Sequence, residues 1–326
     1  MKTYEMSDEE KEFLAGYDLT KYDRPSVAAD VVVFSVMKDD ECEDVRRLQE
    51  KKLKILLIRR GGFPYKGSWA MPGGFCRKGE DVIDSARREL CEETGIEDAY
   101  VKLVGVYGEP GRDPRGWVIS STYMALMNGR DCRLKAGDDA QDARWFTVEL
   151  TDVSTEVTEA AEVSCAGEHS VNELTTEVSG TGEEIVKNEV EASHEVQNVL
   201  KDADSDIKLT AVLRRTDMSS CGRSSDSYDI EECEGLAFDH ARIITEAVLG
   251  LREDVRRDMK LAFDLLPERF TLTELQNVYE QIWDMELTTP NFRRKIAEYV
   301  EETDTYQSGE RYRPAKLFTR RNDARK

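Results

Sequence analysis

The chain has 326 residues, with 46 Lys and Arg against 67 Asp and Glu, a formal net charge of −21, three His and seven Cys. That length suffices for two domains with real cores, and no apolar run approaches the roughly 18 residues needed to span a bilayer. The N-terminus, "MKTYEMSDEEKEF", lacks the basic-then-apolar pattern of a secretory leader. The odd, scattered cysteines contain no CxxC pair and so suggest neither a disulfide framework nor a zinc site. The expectation is a soluble protein of a reducing cytoplasm with no membrane partner.

After an N-terminal extension over residues 1–25, "ADVVVFSV" (29–36) and "LKILLIRR" (53–60) are β-branched or aliphatic runs of strand length. The charged stretch between them, "KDDECEDVRRLQEKK", predicts an exposed connection. A helix is expected over about 80–93. "AYVKLVGVYG" and "WVISSTYMALM" predict two more strands separated by the loop "EPGRDPRG". "ARWFTVEL" closes the set, giving a mixed α/β sheet domain over 26–150. Residues 151–206 then hold 15 acidic and 2 basic residues and no aromatic, the composition of a flexible acidic insertion. "DIKLTAVLRR" predicts a strand and "LAFDHARIITEAVLGLREDVRRDM" a helix that Asp239 can cap. Residues 207–251 thereby complete the first domain, and residues 252–326 form a second.

The densest chemistry lies in "GGFCRKGEDVIDSARRELCEETGI" (73–96). Gly79 breaks the turn, Ile83, Ala86 and Leu90 share one helix face, and Gly95 stands where a left-handed helix stop is expected. Glu89, Glu92 and Glu93 fall at i, i+3 and i+4, so their carboxylates converge on one side and repel. A divalent cation relieves that repulsion. Oxygen donors without His or Cys favour Mg2+, with Mn2+ as the alternative. Arg88 and Glu80 are placed to pair and pin the loop to the helix. A solvated acidic face is the plainer reading of a Glu-rich helix, and the spacing decides against it. Gly74, Glu80, Arg88, Glu89, Leu90, Glu92, Glu93, Gly95 and Ile96 stand at fixed intervals, from a glycine through a lone Glu to Arg-Glu-Leu-x-Glu-Glu-x-Gly-Ile.

This segment resembles the Nudix box. The resemblance implies the Nudix fold, an α/β/α sandwich with a mixed sheet, and hydrolysis of a nucleoside diphosphate linked to another moiety. Carried over by position, Glu89 and Glu93 are the principal metal ligands, Glu92 assists, the Gly73 carbonyl is a further ligand, and Arg88 supports them. The family's general base varies. It is a carboxylate of the box or one from a later loop, where "AGDDAQDARW" offers Asp138, Asp139 and Asp142, with Asp139 ranked first. "GGFPYKGSWAMPGGF" and "YGEPGRDPRGWVIS" are similar to the ADP-ribose pyrophosphatases, and closer still to the Nudix-related transcriptional regulators of NAD metabolism. In that setting Arg112 and Arg115 can present guanidiniums to phosphates or ribose hydroxyls. Asp113 can accept from a sugar hydroxyl or orient Arg115. Phe63 and Trp69 are candidate stacking surfaces for a base, with a core role as the alternative, while Tyr123 and Trp145 read as core.

"LAFDLLPERFTLTELQNVYEQIWDMELTTPNFRRKIAEYV" predicts three short helices, with Leu275, Val278, Tyr279 and Ile282 inward and Pro290 in a first turn. "RYRPAKLFTRR" then returns as a β-wing. This part resembles the winged-helix domain of the Nudix-related regulators, whose third helix enters the DNA major groove. The resemblance makes Arg293, Arg294, Lys295, Arg311, Arg313 and Lys316 candidate contacts to double-stranded DNA, though such shapes also serve as plain docking units. Regulators of this group often lack the box carboxylates, and this chain keeps them all. The expectation is therefore a Mg2+-dependent hydrolase that cleaves ADP-ribose to AMP and ribose 5-phosphate. The alternative is an ADP-ribose-responsive DNA-binding regulator with little turnover. A homodimer is expected by the same resemblance.

Overall fold

The computed structural model describes residues 4–38, 51–97, 99–129, 140–153, 194–202, 205–220, 223–307 and 314–321. A central strand, β1 (Ser26–Lys38), carries a run of β-branched residues because both of its faces are covered. Val31 and Val33 join one buried cluster, and Val32, Phe34 and Val36 join another. β2 (Lys51–Arg60) pairs antiparallel with β1, with Ile55 opposite Phe34. β6 (Val118–Leu126) pairs parallel with β1 and antiparallel with β5 (Tyr100–Tyr107), so the sheet is mixed. Two short strands, β3 (Trp69–Ala70) and β4 (Gly73–Phe75), attach to β2 and β1 and lead into the helix that follows.

That helix, α2 (Val82–Thr94), covers one face through Ala86 and Leu90. The opposite face is covered by α3 (His240–Arg257), whose Ile244, Val248 and Leu251 are fully buried. The result is the α/β/α sandwich expected from the sequence.

The sheet is longer than the sequence suggests. From β2 it continues through β7 (Ala140–Val153), β8 (His194–Asp202), β9 (Lys208–Ser220) and β10 (Arg223–Glu234), all antiparallel. β8 lies inside the segment read above as a flexible acidic insertion, and this is a correction at that end of it. Its inward positions are Val196, Asn198 and Leu200, and the Asn198 amide donates to the Thr245 hydroxyl of α3 at 3.0 Å. A period-two pattern with a polar residue at its centre left little apolar signal. β10 was likewise unread, since Tyr228 is its buried side chain in a run of Ser, Asp and Glu. Residues 154–193 lie outside the described residues. In the N-terminal extension, α1 (Asp8–Ala15) starts on a Ser7–Glu10 capping box that the sequence carried but that was read as extension.

The C-terminal domain follows α3 without a break, because α3 runs past the boundary placed at residue 251 to Arg257. A 3-10 helix (Met259–Leu265) leads to α4 (Leu272–Trp283), α5 (Thr289–Ile296) and a wing of β11 (Val300–Gln307) and β12 (Ala315–Arg320). Thr271 and Glu274 cap α4 reciprocally, with the Glu274 N–H donating to the Thr271 hydroxyl at 3.1 Å. The α4 face of Leu275, Val278, Tyr279 and Ile282 meets Phe292 and Ile296 of α5 in a cluster continuous with the α3 side of the sheet. Among the described residues, no helix is long and apolar enough to cross a membrane.

Tyr279 has no exposed surface, and its hydroxyl donates to the Met259 carbonyl at 2.6 Å. Tyr279→Phe orphans that buried acceptor and is expected to lower unfolding stability by about 1–3 kcal/mol. A urea titration read by intrinsic fluorescence checks this, and an unchanged midpoint would contradict the assignment.

Candidate functional site

Four elements meet at the site: β1, the β4 turn, α2 and the loop after β5. Gly95 ends α2 in the left-handed conformation (φ 77°), its N–H donating to the Cys91 carbonyl at 2.9 Å. Arg88 is the hub. Its guanidinium donates to Glu80 at 2.7 and 3.0 Å, to Glu89 at 2.6 Å and to Glu92 at 3.0 Å. The Arg88–Glu80 pair expected from the sequence is therefore present. Together with the Ser85 hydroxyl (2.8 Å), Arg88 holds the Glu80 carboxyl down at about 2.

The three glutamates do not all converge as their spacing suggested. Glu92 is drawn outward between Arg88 and Arg77 (3.2 Å), where its side chain is nearly half exposed. Glu89 and Glu93 turn instead toward the glycine pair. A Cβ on Gly74 would come within 2.6 Å of the Glu89 carboxylate, so this glycine is required by close approach. Glu93 accepts the Gly73 N–H at 2.8 Å, so Gly73 meets the carboxylates through its N–H.

Glu93 is the most perturbed acid here. Burial raises its pKa, and the nearby Glu89 and Asp30 carboxylates raise it further, to about 8, against the opposing Gly73 hydrogen bond and Arg60 charge. Asp30 reaches the group from β1, where it stands opposite Gly73 and accepts from the Ser120 hydroxyl. Among the described residues, no group of three His, Cys, Asp or Glu side chains is already arranged to hold a metal ion. The donor chemistry nonetheless fits a hard divalent cation. Glu89, Glu93 and Asp30 offer only oxygen, and a cation relieves the crowding that otherwise favours a proton on Glu93.

Beside these acids opens a cleft lined by Asp30, Arg60, Gly73, Gly74, Phe75, Arg112, Asp113, Arg115, Phe238 and His240 among others. Of the expected ligand residues, Arg115 lies there as read. It donates to Asp113 at 2.7 and 3.0 Å and stacks over Phe75, 4.8 Å from the ring centre. Asp113 is buried, and its carboxylate accepts from both the backbone N–H and the side chain of Arg115. Burial works against its ionised form, but the bonds from Arg115 hold its carboxyl below the usual range.

Arg112 lines the same cleft and is ion-paired there. It makes a bidentate pair with Asp239 at 2.7 and 2.8 Å, and Asp239, read as a side-chain cap of α3, makes no cap bond. An ionised, buried pair outweighs a single N–H bond. Trp69, read as a stacking surface, is core: it is 4% exposed and meets Phe146 edge-on at 4.9 Å. Phe63 is 86% exposed on the loop before β3. Tyr123 and Trp145 are buried and partly buried, as read. Asp138 and Asp139 lie outside the described residues, while Asp142 pairs with Arg144 at 2.6 Å.

Asp30, Arg60, Phe238 and His240 were not singled out from sequence. Arg60 stacks on Phe238 at 4.9 Å, and burial and the neighbouring Arg115 charge both depress its pKa. His240 is buried, and burial lowers its pKa. Its Nδ1 accepts the Met71 N–H at 3.0 Å, which places the neutral ring's proton on Nε2.

On the C-terminal domain, Arg293, Arg294 and Lys295 are exposed on α5, with the Lys295 ammonium 5.5 Å from the Trp283 ring centre. Lys316 is paired with Glu302 across the wing. Arg311 and Arg313 lie outside the described residues.

Comparison with known proteins agrees with this division. Residues 44–165 match the NUDIX domain family, and residues 262–319 match the NrtR DNA-binding winged helix domain. The ADPR responsive transcriptional repressor NtrR of Acinetobacter baylyi is 28% identical over 313 residues, covering 95% of this chain and 87% of the repressor. The ADP-ribose pyrophosphatase of Methanocaldococcus jannaschii is 41% identical over 139 residues, 42% of this chain and 72% of that enzyme. Among solved structures, a MutT/nudix family protein from Enterococcus faecalis superposes with a TM-score of 0.60 at 24% identity, covering 96% and 93% of the two chains.

The raised Glu93 pKa carries a sign for stability. A carboxyl lifted from 4.5 to about 8 binds more proton folded than unfolded, so stability falls as pH rises through that window. In chelator, wild type is expected to lose stability relative to Glu93→Gln between pH 5 and 8, by up to about 1.4 kcal/mol per pH unit. Parallel melting curves for the two proteins would refute the crowding described here.

Proposed function

Because the chain belongs to the Nudix family and ends in a winged-helix domain of the NrtR type, we propose that it is a DNA-binding transcriptional regulator that responds to ADP-ribose. The observation that carries this reading is the placement of both halves in one continuous core. A cleft walled by Arg60 and Arg115 lies at one end of α3, and the winged helix is joined to the other. The cleft suits a nucleoside diphosphate sugar. Two guanidiniums held by aromatic rings and Asp113 can grip a pyrophosphate, and Phe75 and Phe238 offer flat surfaces beside them. The exposed Arg293, Arg294 and Lys295 of α5 are the residues expected against DNA phosphates or base edges, with Lys316 of β12 and, by sequence alone, Arg311 and Arg313 as further candidates. A homodimer belongs to this reading, so that two winged helices meet two half-sites.

A second reading is favoured by the complete box. Glu80, Arg88, Glu89, Glu92 and Glu93 are all present, so the chain has the residues to hydrolyse its ligand as well as sense it. Glu89 and Glu93 would hold Mg2+ or Mn2+, with Asp30 adjacent, while Glu92, turned toward Arg77, and the Gly73 carbonyl would become donors only on rearrangement. The ion supplies charge neutralisation at the phosphates and a more acidic water. Arg88 holds Glu80, Glu89 and Glu92 in place. A carboxylate of the box or Asp139 takes the proton from water, and Arg115 steadies the diphosphate. The products would be AMP and ribose 5-phosphate.

Two measurements separate the readings. In a mobility-shift assay on the chain's own upstream DNA, ADP-ribose is expected to change affinity at least fivefold, a typical coupling. No change at saturating ADP-ribose would remove the regulatory reading. Incubation of ADP-ribose with protein and Mg2+ tests turnover, and intact ADP-ribose would leave the binding role alone. For the DNA face, Arg293→Ala with Arg294→Ala is expected to weaken DNA binding at least tenfold. It should also reduce the slope of log affinity against log salt by about two, with ADP-ribose titration unchanged.

A further inference from the structure

α3 is fastened at both ends, and to different things. At its start, three side chains of the first turn are fastened to the cleft and to the loop beside it. Asp239 holds Arg112 of the loop after β5 in a bidentate pair, with both side chains largely buried. His240 accepts the Met71 N–H from the segment between β3 and β4. Arg242 binds Glu109 of the same loop as Arg112 at 2.6 Å.

At its far end, α3 is tied to α4. The Arg252 side chain donates to the Ile282 carbonyl at 3.0 Å, and the Trp283 indole donates back to the Arg252 carbonyl at 3.3 Å. Between the ends, Ile243, Ile244, Ala247, Val248 and Leu251 are fully or almost fully buried, so the helix cannot rotate or slide without repacking the core. With 18 residues it spans about 27 Å.

Asp239 is the N-cap residue, yet its carboxylate makes no side-chain cap bond and is given over to Arg112. The pair therefore costs α3 a local cap and gains a link to a loop whose next residues, Asp113 and Arg115, line the cleft.

We propose that the Arg112–Asp239 pair is a positioning contact that couples occupancy of the cleft to the winged helix, by fixing the ligand loop to the first turn of α3. Arg112 on this view acts through Asp239 rather than by touching the ligand. When Arg115 and Asp113 rearrange around a diphosphate, the loop carries Arg112 with it. The displacement enters α3 at residues 239–242 and reaches α4 through Arg252. This rests on the regulatory reading above and names its route.

The test uses Asp239→Asn in the full chain. The change is isosteric and removes no cap bond. DNA affinity is measured with and without saturating ADP-ribose, saturation being verified by titration of each protein. The expected result is a wild-type ratio of fivefold or more that falls below twofold in Asp239→Asn, with DNA affinity in the absence of ADP-ribose retained. A merely structural role would lower the melting temperature and leave the ratio alone. If the variant responds as fully as wild type, the inference is overturned while the regulatory reading stands. A wild-type ratio of one overturns both. Should the variant fail to fold, amide hydrogen exchange on wild type decides. Altered protection at residues 240–246 and 252–283 on adding ADP-ribose without DNA supports the route, and unaltered protection there overturns it.

Discussion

One guanidinium bonded to three carboxylates is the constraint on which the site depends. Arg88 takes Glu80, Glu89 and Glu92 at 2.6 to 3.0 Å and lies within 3.4 Å of the Phe75 carbonyl. Without it, a turn carrying one Glu and a helix carrying three would repel, and the loop from Phe75 to Glu80 would have little reason to lie on α2. Only arginine meets the requirement, since its planar fork offers donors in several fixed directions, whereas an ammonium is a single point. The partners in turn raise the Arg88 pKa, so the hub stays charged at any relevant pH. Through it the backbone of residues 73–75 is held against α2, closely enough that Gly74 cannot carry a side chain.

The hub satisfies only part of the negative charge. Glu93 and Asp30 remain on the inner side, with Glu89 shared between the two groups, and Glu93 responds by favouring its protonated form. Across the cleft stand Arg60 and Arg115, like charges close enough that Arg115 helps depress the Arg60 pKa. The cleft thus has an acidic wall and a basic wall, each with internal repulsion. A ligand that brings a cation to one and a diphosphate to the other relieves both at once. This complementarity follows from charge alone and holds whether or not turnover occurs.

How much of this was legible depended on sequence distance. The box could be read because Gly74 through Ile96 is local, with its spacing fixed by one turn and one helix. Arg115 could be read because a Gly- and Pro-rich loop with two arginines has few structural uses. Asp30, Arg60, Phe238 and His240 come from three separate segments and meet only when β1, β2 and the start of α3 are brought together, which no short-range pattern encodes. Asp239 shows a subtler limit. Its position before a helix is that of a cap, and only the arrival of Arg112 from 127 residues away diverts it. Trp69 failed as a ligand residue for a related reason. A tryptophan beside a glycine-rich turn looks available until Phe146 and Leu236 are seen to enclose it.

The same charge accounting bears on the winged helix. In the described part of the wing, each cation has an acid beside it: Lys316 with Glu302, Arg320 with Asp264 and Arg321 with Glu301. These pairs are solvent-exposed and individually weak, but they cancel the field that would draw a DNA backbone from a distance. On α5, Arg293 and Arg294 are exposed. A chain with a formal charge of −21 gains little from non-specific attraction to a polyanion. Whatever affinity it has for DNA must come from close contacts by a small basic face, and such contacts are sensitive to angstrom-scale displacement. On the regulatory reading proposed above, the α3–α4 junction is placed to deliver such a displacement to α5.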